Sequence, residues 1–336
     1  MDFKSKYTRV WKHLFWASAF LTVILAGSLA PHFKDSAELV RMRNALLLQS
    51  ESAVYDWTPA TIPQGFALET APPLPLYDEA VSVNALRVSN DDWATALNIG
   101  RHLLASAGPR GRPIQSDLAD TYRRIMASSE GYCGDYADSF TGLANAAGLF
   151  SRPWAFSFDG FGGRGHIFNE IWDSQRSRWI MIDVFNNFYV TDAAGEPLSA
   201  LMLREALQRD TPDLKLVAVN PDAPPGFKFE PKALEYYRRG LPEWYMWWGN
   251  NVFEYDDSTL VRVLGNTHRA LEQLGGVVAG VHPQIRILAY RDNQPQREAM
   301  ERLRLRLIAI LFSGAVSFVL LLLWMWSRRR ATRAFA

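Results

Sequence analysis

The sequence predicts an α+β domain on a mainly antiparallel sheet, carried between two membrane-spanning helices. Three observations lead there. Uncharged apolar runs stand near both ends, at residues 14–30 and 307–326, each close to the roughly 17–25 residues a helix needs to cross a bilayer. Between them lies one clear helical pattern, Tyr136, Phe140, Leu143, Ala144 and Ala147, closed by Gly148 as a left-handed cap. Three short aromatic and β-branched stretches follow it, residues 152–158, 166–172 and 178–184, with a turn at 173–176. That spacing is a meander.

The second apolar run has Trp324 and Trp326 where an aromatic belt sits, and a basic tail of Arg328, Arg329, Arg330 and Arg333 behind it. The first follows Lys4, Lys6, Arg9 and Lys12 and ends on Ser28, Leu29 and Ala30. It reads as an uncleaved anchor, with a cleaved signal peptide as the alternative. Basic residues flank both sides of each run in similar number, but long loops cross regardless of charge and short tails set the orientation. Both termini are therefore expected in the cytoplasm, with residues 31–306 outside, in the periplasm of a bacterial inner membrane. The segments expected in order are a cytoplasmic N-terminus at 1–13, a span at 14–30, a stalk and Pro-rich linker at 31–80, the main domain at 81–210, an aromatic-rich extension at 211–306, a span at 307–326 and a basic tail at 327–336.

Within the exported part, Leu39, Met42, Ala45 and Leu46 have a helical spacing that predicts residues 36–49 as a stalk continuing the first span. Pro59, Pro63, Pro72, Pro73 and Pro75 argue for an extended linker or a segment draped over the domain. A strand is expected at 81–88 and helices at 93–107, 115–128 and 199–208. The small residues Ala137, Gly142, Ala144 and Ala146 are expected to let the helix after Cys133 sit close against the sheet. Trp244, Tyr245, Trp247, Trp248, Phe253 and Tyr255 form an aromatic cluster that suits either a platform for sugar rings or burial in the core or at the membrane surface. Residues 296–306 are expected to lead helically into the second span.

Composition excludes several classes. Thirty-six Lys and Arg against thirty-five Asp and Glu give a net charge of +1, no field to draw in nucleic acid. A single cysteine, Cys133, excludes an internal disulfide framework and a multi-cysteine zinc site. The histidines show no i, i+4 pair, so neither a metal nor a cofactor is expected. Gly160 to Gly165 contains G-x-G-x-x-G, yet a strand follows it where a dinucleotide site needs a helix. It reads instead as a mobile loop, a lid beside His166.

Cys133 stands at the predicted start of its helix, where unpaired amides and the helix dipole favour a thiolate. Alone it is equally well a small buried hydrophobe. His166 opens one strand and Asp183 closes the next, so adjacent strands can carry an imidazole and a carboxylate to the helix start. A thiolate attacks carbonyl carbon, an imidazole moves the proton to the leaving amine, and a carboxylate orients the imidazole.

At these residues the chain resembles the transglutaminase-like superfamily of papain-like cysteine enzymes, over roughly residues 93–200. The blocks carrying the resemblance are Gly131-Tyr132-Cys133-Gly134-Asp135-Tyr136-Ala137, His166-Ile167-Phe168-Asn169-Glu170-Ile171-Trp172 and Arg178-Trp179-Ile180-Met181-Ile182-Asp183. The resemblance implies Cys133 as nucleophile, His166 as base and Asp183 as orienting acid, on a core where the cysteine helix packs on an antiparallel sheet. Phe168 stands where the family usually has tryptophan, and Val184 where it usually has proline, which bears on the loop after Asp183. His166, Phe168 and Glu170 share a strand face, so Glu170 is placed to support the site from behind the histidine. The backbone amide of Cys133 and the side chain of Gln115 are the candidate oxyanion donors. Calcium dependence, known for some transglutaminases, has no EF-hand loop here to carry it.

The implied activity is cysteine acyl transfer on a protein, a peptide or an amide-linked glycan, by hydrolysis (amidase or protease) or by transamidation. The alternative is an idle, membrane-tethered scaffold of the cell envelope that binds a glycan or an assembly partner.

Overall fold

The computed structural model describes residues 3–49, 54–106, 110–112, 114 and 116–332. Two long helices, α1 (Phe3–Gly27) and, at the far end of the chain, α12 (Gln294–Thr332), contain stretches long and apolar enough to cross a membrane. They pair antiparallel. Phe15 stacks on Trp324, Ser18 Oγ lies 2.8 Å from Ser317 Oγ, Thr22 Oγ1 lies 3.2 Å from the same atom, and Arg306 reaches the Ser28 carbonyl. Small hydroxyl side chains let helices approach and supply the polar contact that lipid cannot.

The chain between them folds as α2 (Ser36–Leu47), β1 (Leu48–Gln49), α3 (Pro75–Val83), α4 (Asp92–Leu103), α5 (Leu118–Ser128), α6 (Cys133–Ala146), β2 (Ser151–Ser157), β3 (Gly165–Asp173), β4 (Arg178–Ile182) and β5 (Phe188–Thr191). It continues with α7 (Ala200–Gln208), β6 (Lys215–Ala218), α8 (Glu230–Gly240), β7 (Trp244–Trp248), α9 (Val252–Asp257), α10 (Thr259–Gly265), α11 (Arg269–Ala279) and β8 (Gln284–Ile287). One six-stranded sheet runs β1-β8-β7-β2-β3-β4, antiparallel except where β1 pairs parallel with β8. β5 and β6 make a separate ribbon. The fold is thus α+β with the expected meander at β2-β3-β4.

The region before β2 departs from expectation in two places. α2 does not continue α1: a 3₁₀ turn at Ala30–Phe33, led by Pro31, separates them, and Asp35 caps α2 through the Glu38 amide. Met42, Ala45 and Leu46 then pack into an apolar cluster with Met300, Leu303 and Leu307 of α12, so α2 is a wall of the domain and not a stalk. The strand expected at 81–88 is instead the end of α3 and a turn. Pro75 takes the first helical position, where its missing N–H costs nothing, and buried Tyr77 and Ala80 stand one turn apart. A Cβ on Gly142 would come 2.7 Å from the Tyr77 ring, so the small surface of α6 admits α3 as well as the sheet.

The Pro-rich segment is a strap. Tyr55, Trp57 and Phe66 are buried, Tyr55 donates to the Arg286 and Ile287 carbonyls, and Trp179 Nε1 donates to the Trp57 carbonyl at 2.6 Å. The aromatic run of β7 is an interior strand of the sheet: Trp244 and Trp248 point into one core with Trp154 and Phe168, while Tyr245 and Trp247 face the other. Trp244, Trp248 and Phe253 are too buried to form a sugar platform. Because β1, β7 and β8 complete the sheet, the boundary expected at residue 210 falls inside a single sheet. α12 runs unbroken from Gln294, as the pattern at 296–306 anticipates. The expected helix end at Ala107 and start at Gln115 lie outside the described residues. Within them, α4 ends at Leu103, and α5 starts at Leu118 behind an Asp117 cap.

Candidate active site

Cys133 is the first residue of α6 and is half-buried. The turn that delivers it is tied down on both sides. Gly131 sits at φ 112°, a conformation open to glycine, its N–H reaches the Arg112 carbonyl at 2.8 Å, and its carbonyl receives the Gly111 N–H at 2.9 Å. The Asp135 carboxylate accepts the Tyr132 amide at 2.7 Å, fixing the helix entry and adding an anion where the dipole favours one.

Alternation along β3 sends Asn169 and Ile171 toward α6, where Asn169 Nδ2 donates to the Ala137 carbonyl and Thr141 Oγ1. His166, Phe168 and Glu170 take the opposite face. Asp183 follows β4 on that same face and is held by a two-way backbone bridge to Phe188 at 2.9 and 3.0 Å. His166 Nε2 lies 2.7 Å from Asp183 Oδ2, with both side chains buried. The remaining ring nitrogen is the one left for the Cys133 thiol, which lines the same cavity as His166 and helps to raise the imidazole pKa. The three residues singled out in the sequence therefore converge where β4 leaves β3.

Two groups that the sequence reading missed hold the acid. Asp183 Oδ2 accepts from Tyr237 Oη and from Asn186 Nδ2, each at 2.7 Å, and Asp183 Oδ1 accepts the Asn186 amide at 3.1 Å. Tyr236, beside Tyr237 on α8, lies edge-on to the His166 ring with centroids 5.9 Å apart. Asn186 follows the third motif block closely enough to be found as a turn residue that bonds backward. Tyr237 carries no spacing signal, because only the packing of α8 brings it there. Val184 is buried and begins a tight turn closed by Asn187 N–H to its carbonyl at 3.1 Å, with Asn187 at φ 61°, so the loop after Asp183 closes without proline.

The electrostatics follow from this burial. Desolvation pushes the His166 imidazole toward neutrality, but the Asp183 carboxylate and the adjacent Cys133 thiol outweigh it and lift its pKa to about 10. Burial raises Asp183, and His166, Tyr237 and Asn186 more than reverse this, leaving it below its ordinary value. Each partner thus favours the charged form of the other.

Glu170 does not touch the histidine through its carboxylate. One oxygen takes Arg152 Nε and Trp154 Nε1, each at 2.8 Å, and the other takes the Ala200 amide at 2.7 Å. It ties β2 and α7 to the strand that bears His166. Gln115 lies outside the described residues. The amide of Cys133, as the first of its helix, has no intrahelical acceptor by geometry and is left available to an anion.

The thiol opens into a cavity of about 470 Å³ between α6 and α2, bordered by Val40, Arg43, Tyr132, Asp138, Tyr245, Trp247 and Tyr255. The glycine loop beside it is not a free lid. Phe161 is fully buried, Gly163 N–H donates to the Ala37 carbonyl at 3.0 Å, Asn44 Nδ2 to the Phe161 carbonyl at 2.8 Å, and Gly160 N–H to Glu243 at 2.8 Å. A Cβ on Gly163 would meet Ala37 Cα at 2.9 Å. Glycine is needed there for close approach, and the loop forms a fixed wall of the cavity. None of the protein-family models, curated proteins or solved structures compared with this chain matches it.

Proposed function

We propose that this chain is a membrane-anchored cysteine acyl-transfer enzyme of transglutaminase-like type, acting outside the cytoplasmic membrane of a bacterium on an amide in a protein, a peptide or a glycan-linked side chain. The observation that carries this reading is the meeting, at one cavity, of a thiol on a helix start with a buried, hydrogen-bonded histidine–aspartate pair. The Cys133 sulfur attacks the substrate carbonyl carbon, and the helix-start amide receives the oxyanion. His166 gives its proton to the departing amine, so the C–N bond breaks and a thioester remains. Water or a second amine then attacks the thioester while His166 takes up its proton, releasing the acyl product and the thiolate. Asp183 keeps the imidazole turned so that one nitrogen serves the sulfur throughout.

The basic tail beginning at Arg328 and the lysines before the first apolar run support cytoplasmic termini and an exported catalytic domain. Alkaline phosphatase fused after Pro221 is expected to be active, and the same reporter at Ala336 inactive; the reverse pattern overturns the orientation.

The catalytic reading is tested by expressing Cys133→Ser as a folded, membrane-inserted protein in a deletion strain. Loss of function is expected, together with labelling of the native thiol by iodoacetamide that slows in His166→Ala. Full restoration by Cys133→Ser would leave a scaffold in the envelope as the role.

A further inference from the structure

We propose that the hairpin of α10 and α11 lies on the bilayer surface beside the two anchors, as a third and non-spanning membrane contact. α11 is turned inside out for a position in water, and α10, whose Val261 is buried, also leaves apolar side chains outward. On α11 the inward side is Glu272, Gly275 and Gly276, whereas Leu271, Leu274 and Val278 form an outward stripe and are 39%, 44% and 70% exposed. On α10, Leu260 and Val263 stand one turn apart and are 37% and 60% exposed. The glycines impose the inversion. A Cβ at Gly276 would come 2.5 Å from the Tyr255 ring and one at Gly275 3.0 Å from the Leu260 carbonyl oxygen, so this small side lets α11 approach α9 and α10 closely. Glu272, carried inward with it, takes the Tyr255 hydroxyl at 3.4 Å. An amphipathic helix with its apolar stripe outward is the arrangement of an interfacial segment.

The occupant is lipid because the chain brings its own bilayer to this place. Val277, next to the outward stripe, packs into the apolar cluster that contains Leu29, two residues past the end of α1, and Leu307, where the second apolar run begins. α2 joins the two, since it packs on both α11 and α12. Exposed Arg262 on α10 supplies a cation suited to anionic headgroups. Through Gln273 the other side of α11 borders the cavity that holds Cys133. Immersion of the stripe therefore sets the cavity at the membrane surface, within reach of substrates held there.

The proposal needs the chain to be in a membrane but is independent of catalysis, and its test reads immersion alone. In the full chain carrying Cys133→Ser, single cysteines are placed by Leu274→Cys, Val278→Cys and, as a control on α3, Val83→Cys, which replaces a residue 75% exposed. Each is labelled with an environment-sensitive fluorophore in nanodiscs of phosphatidylethanolamine and phosphatidylglycerol. Spin-labelled lipid should cause a loss of emission at the two α11 sites and none at the control, while aqueous iodide should quench only the control. Val263→Cys repeats the reading on α10 should an α11 variant fail to fold. Iodide quenching at all sites, with no effect of spin-labelled lipid, overturns the proposal. So does shielding from both quenchers that appears only with two chains per disc, which would assign the stripe to a second copy.

Discussion

Tyr237 Oη lies 2.7 Å from the same Asp183 oxygen that receives His166 Nε2, also at 2.7 Å. The acid ends the β3–β4 hairpin, and the tyrosine arrives from α8, 54 residues later. Tyr237→Phe removes one donor from a buried carboxylate and nothing else. Hydrogen bonds to charged groups contribute about 1.5–3 kcal/mol, so a loss of that order is expected in thermal unfolding of the detergent-solubilised chain. Iodoacetamide labelling of Cys133 should slow less than in His166→Ala, since the imidazole stays in place.

The His166–Asp183 pair predicts a particular pH profile. His166 binds its proton more tightly in the folded chain, so its contribution is complete below roughly 6.5, the unfolded imidazole value, and is lost as pH rises through about 10. Asp183, lowered on folding, contributes above roughly 3.9 and loses that contribution as pH falls further. Melting temperatures taken from pH 7 to 10 should therefore fall more steeply for the native chain than for His166→Gln. Equal slopes would show that the imidazolium contributes nothing to folding.

Glu170 and Arg152 form a buried ion pair at 2.7 Å, with the guanidinium 3.6 Å from the Trp179 ring centroid. Glu170→Ala leaves that cation without its partner, a change expected to cost about 3–5 kcal/mol. Replacing both residues by methionine should recover much of the loss, because the uncompensated charge is what costs most. Urea titration of the three proteins in detergent checks the order.

The sheet predicts where the chain can be cut. A fragment of residues 81–210 lacks β7 and β8, leaving β2 as an open edge with Trp154 and Phe156 uncovered, and is expected to aggregate. A fragment of residues 31–306 retains all six strands, α2 and the part of α12 that carries Met300 and Leu303, and is expected to melt cooperatively. Size-exclusion chromatography and calorimetry of the two separate these outcomes.

Much of this arrangement is local and so was legible in the residues. Gly148 at φ 73° closes α6 where the periodicity ends, and the meander of β2, β3 and β4 follows from alternation and the turn after Asp173. His166 and Asp183 were legible together because they stand at the ends of neighbouring strands, and Cys133 because it opens the helix before them. The helix at Pro75–Val83 was not legible, because a short β-branched run serves helix or strand equally until Tyr77 is given Gly142 to pack on.

The sequence by itself determined the two apolar helices, the helix that presents Cys133 and the strands that present His166 and Asp183, since each depends on patterns within a few residues. Only the tertiary structure decided that Tyr237 and Asn186 hold the acid, that α2 walls the cavity, that the glycine loop is tied down and that the aromatic run is an interior strand. Those contacts join segments far apart in the chain, and their partners are set by the shape of the packed core, which no local periodicity encodes.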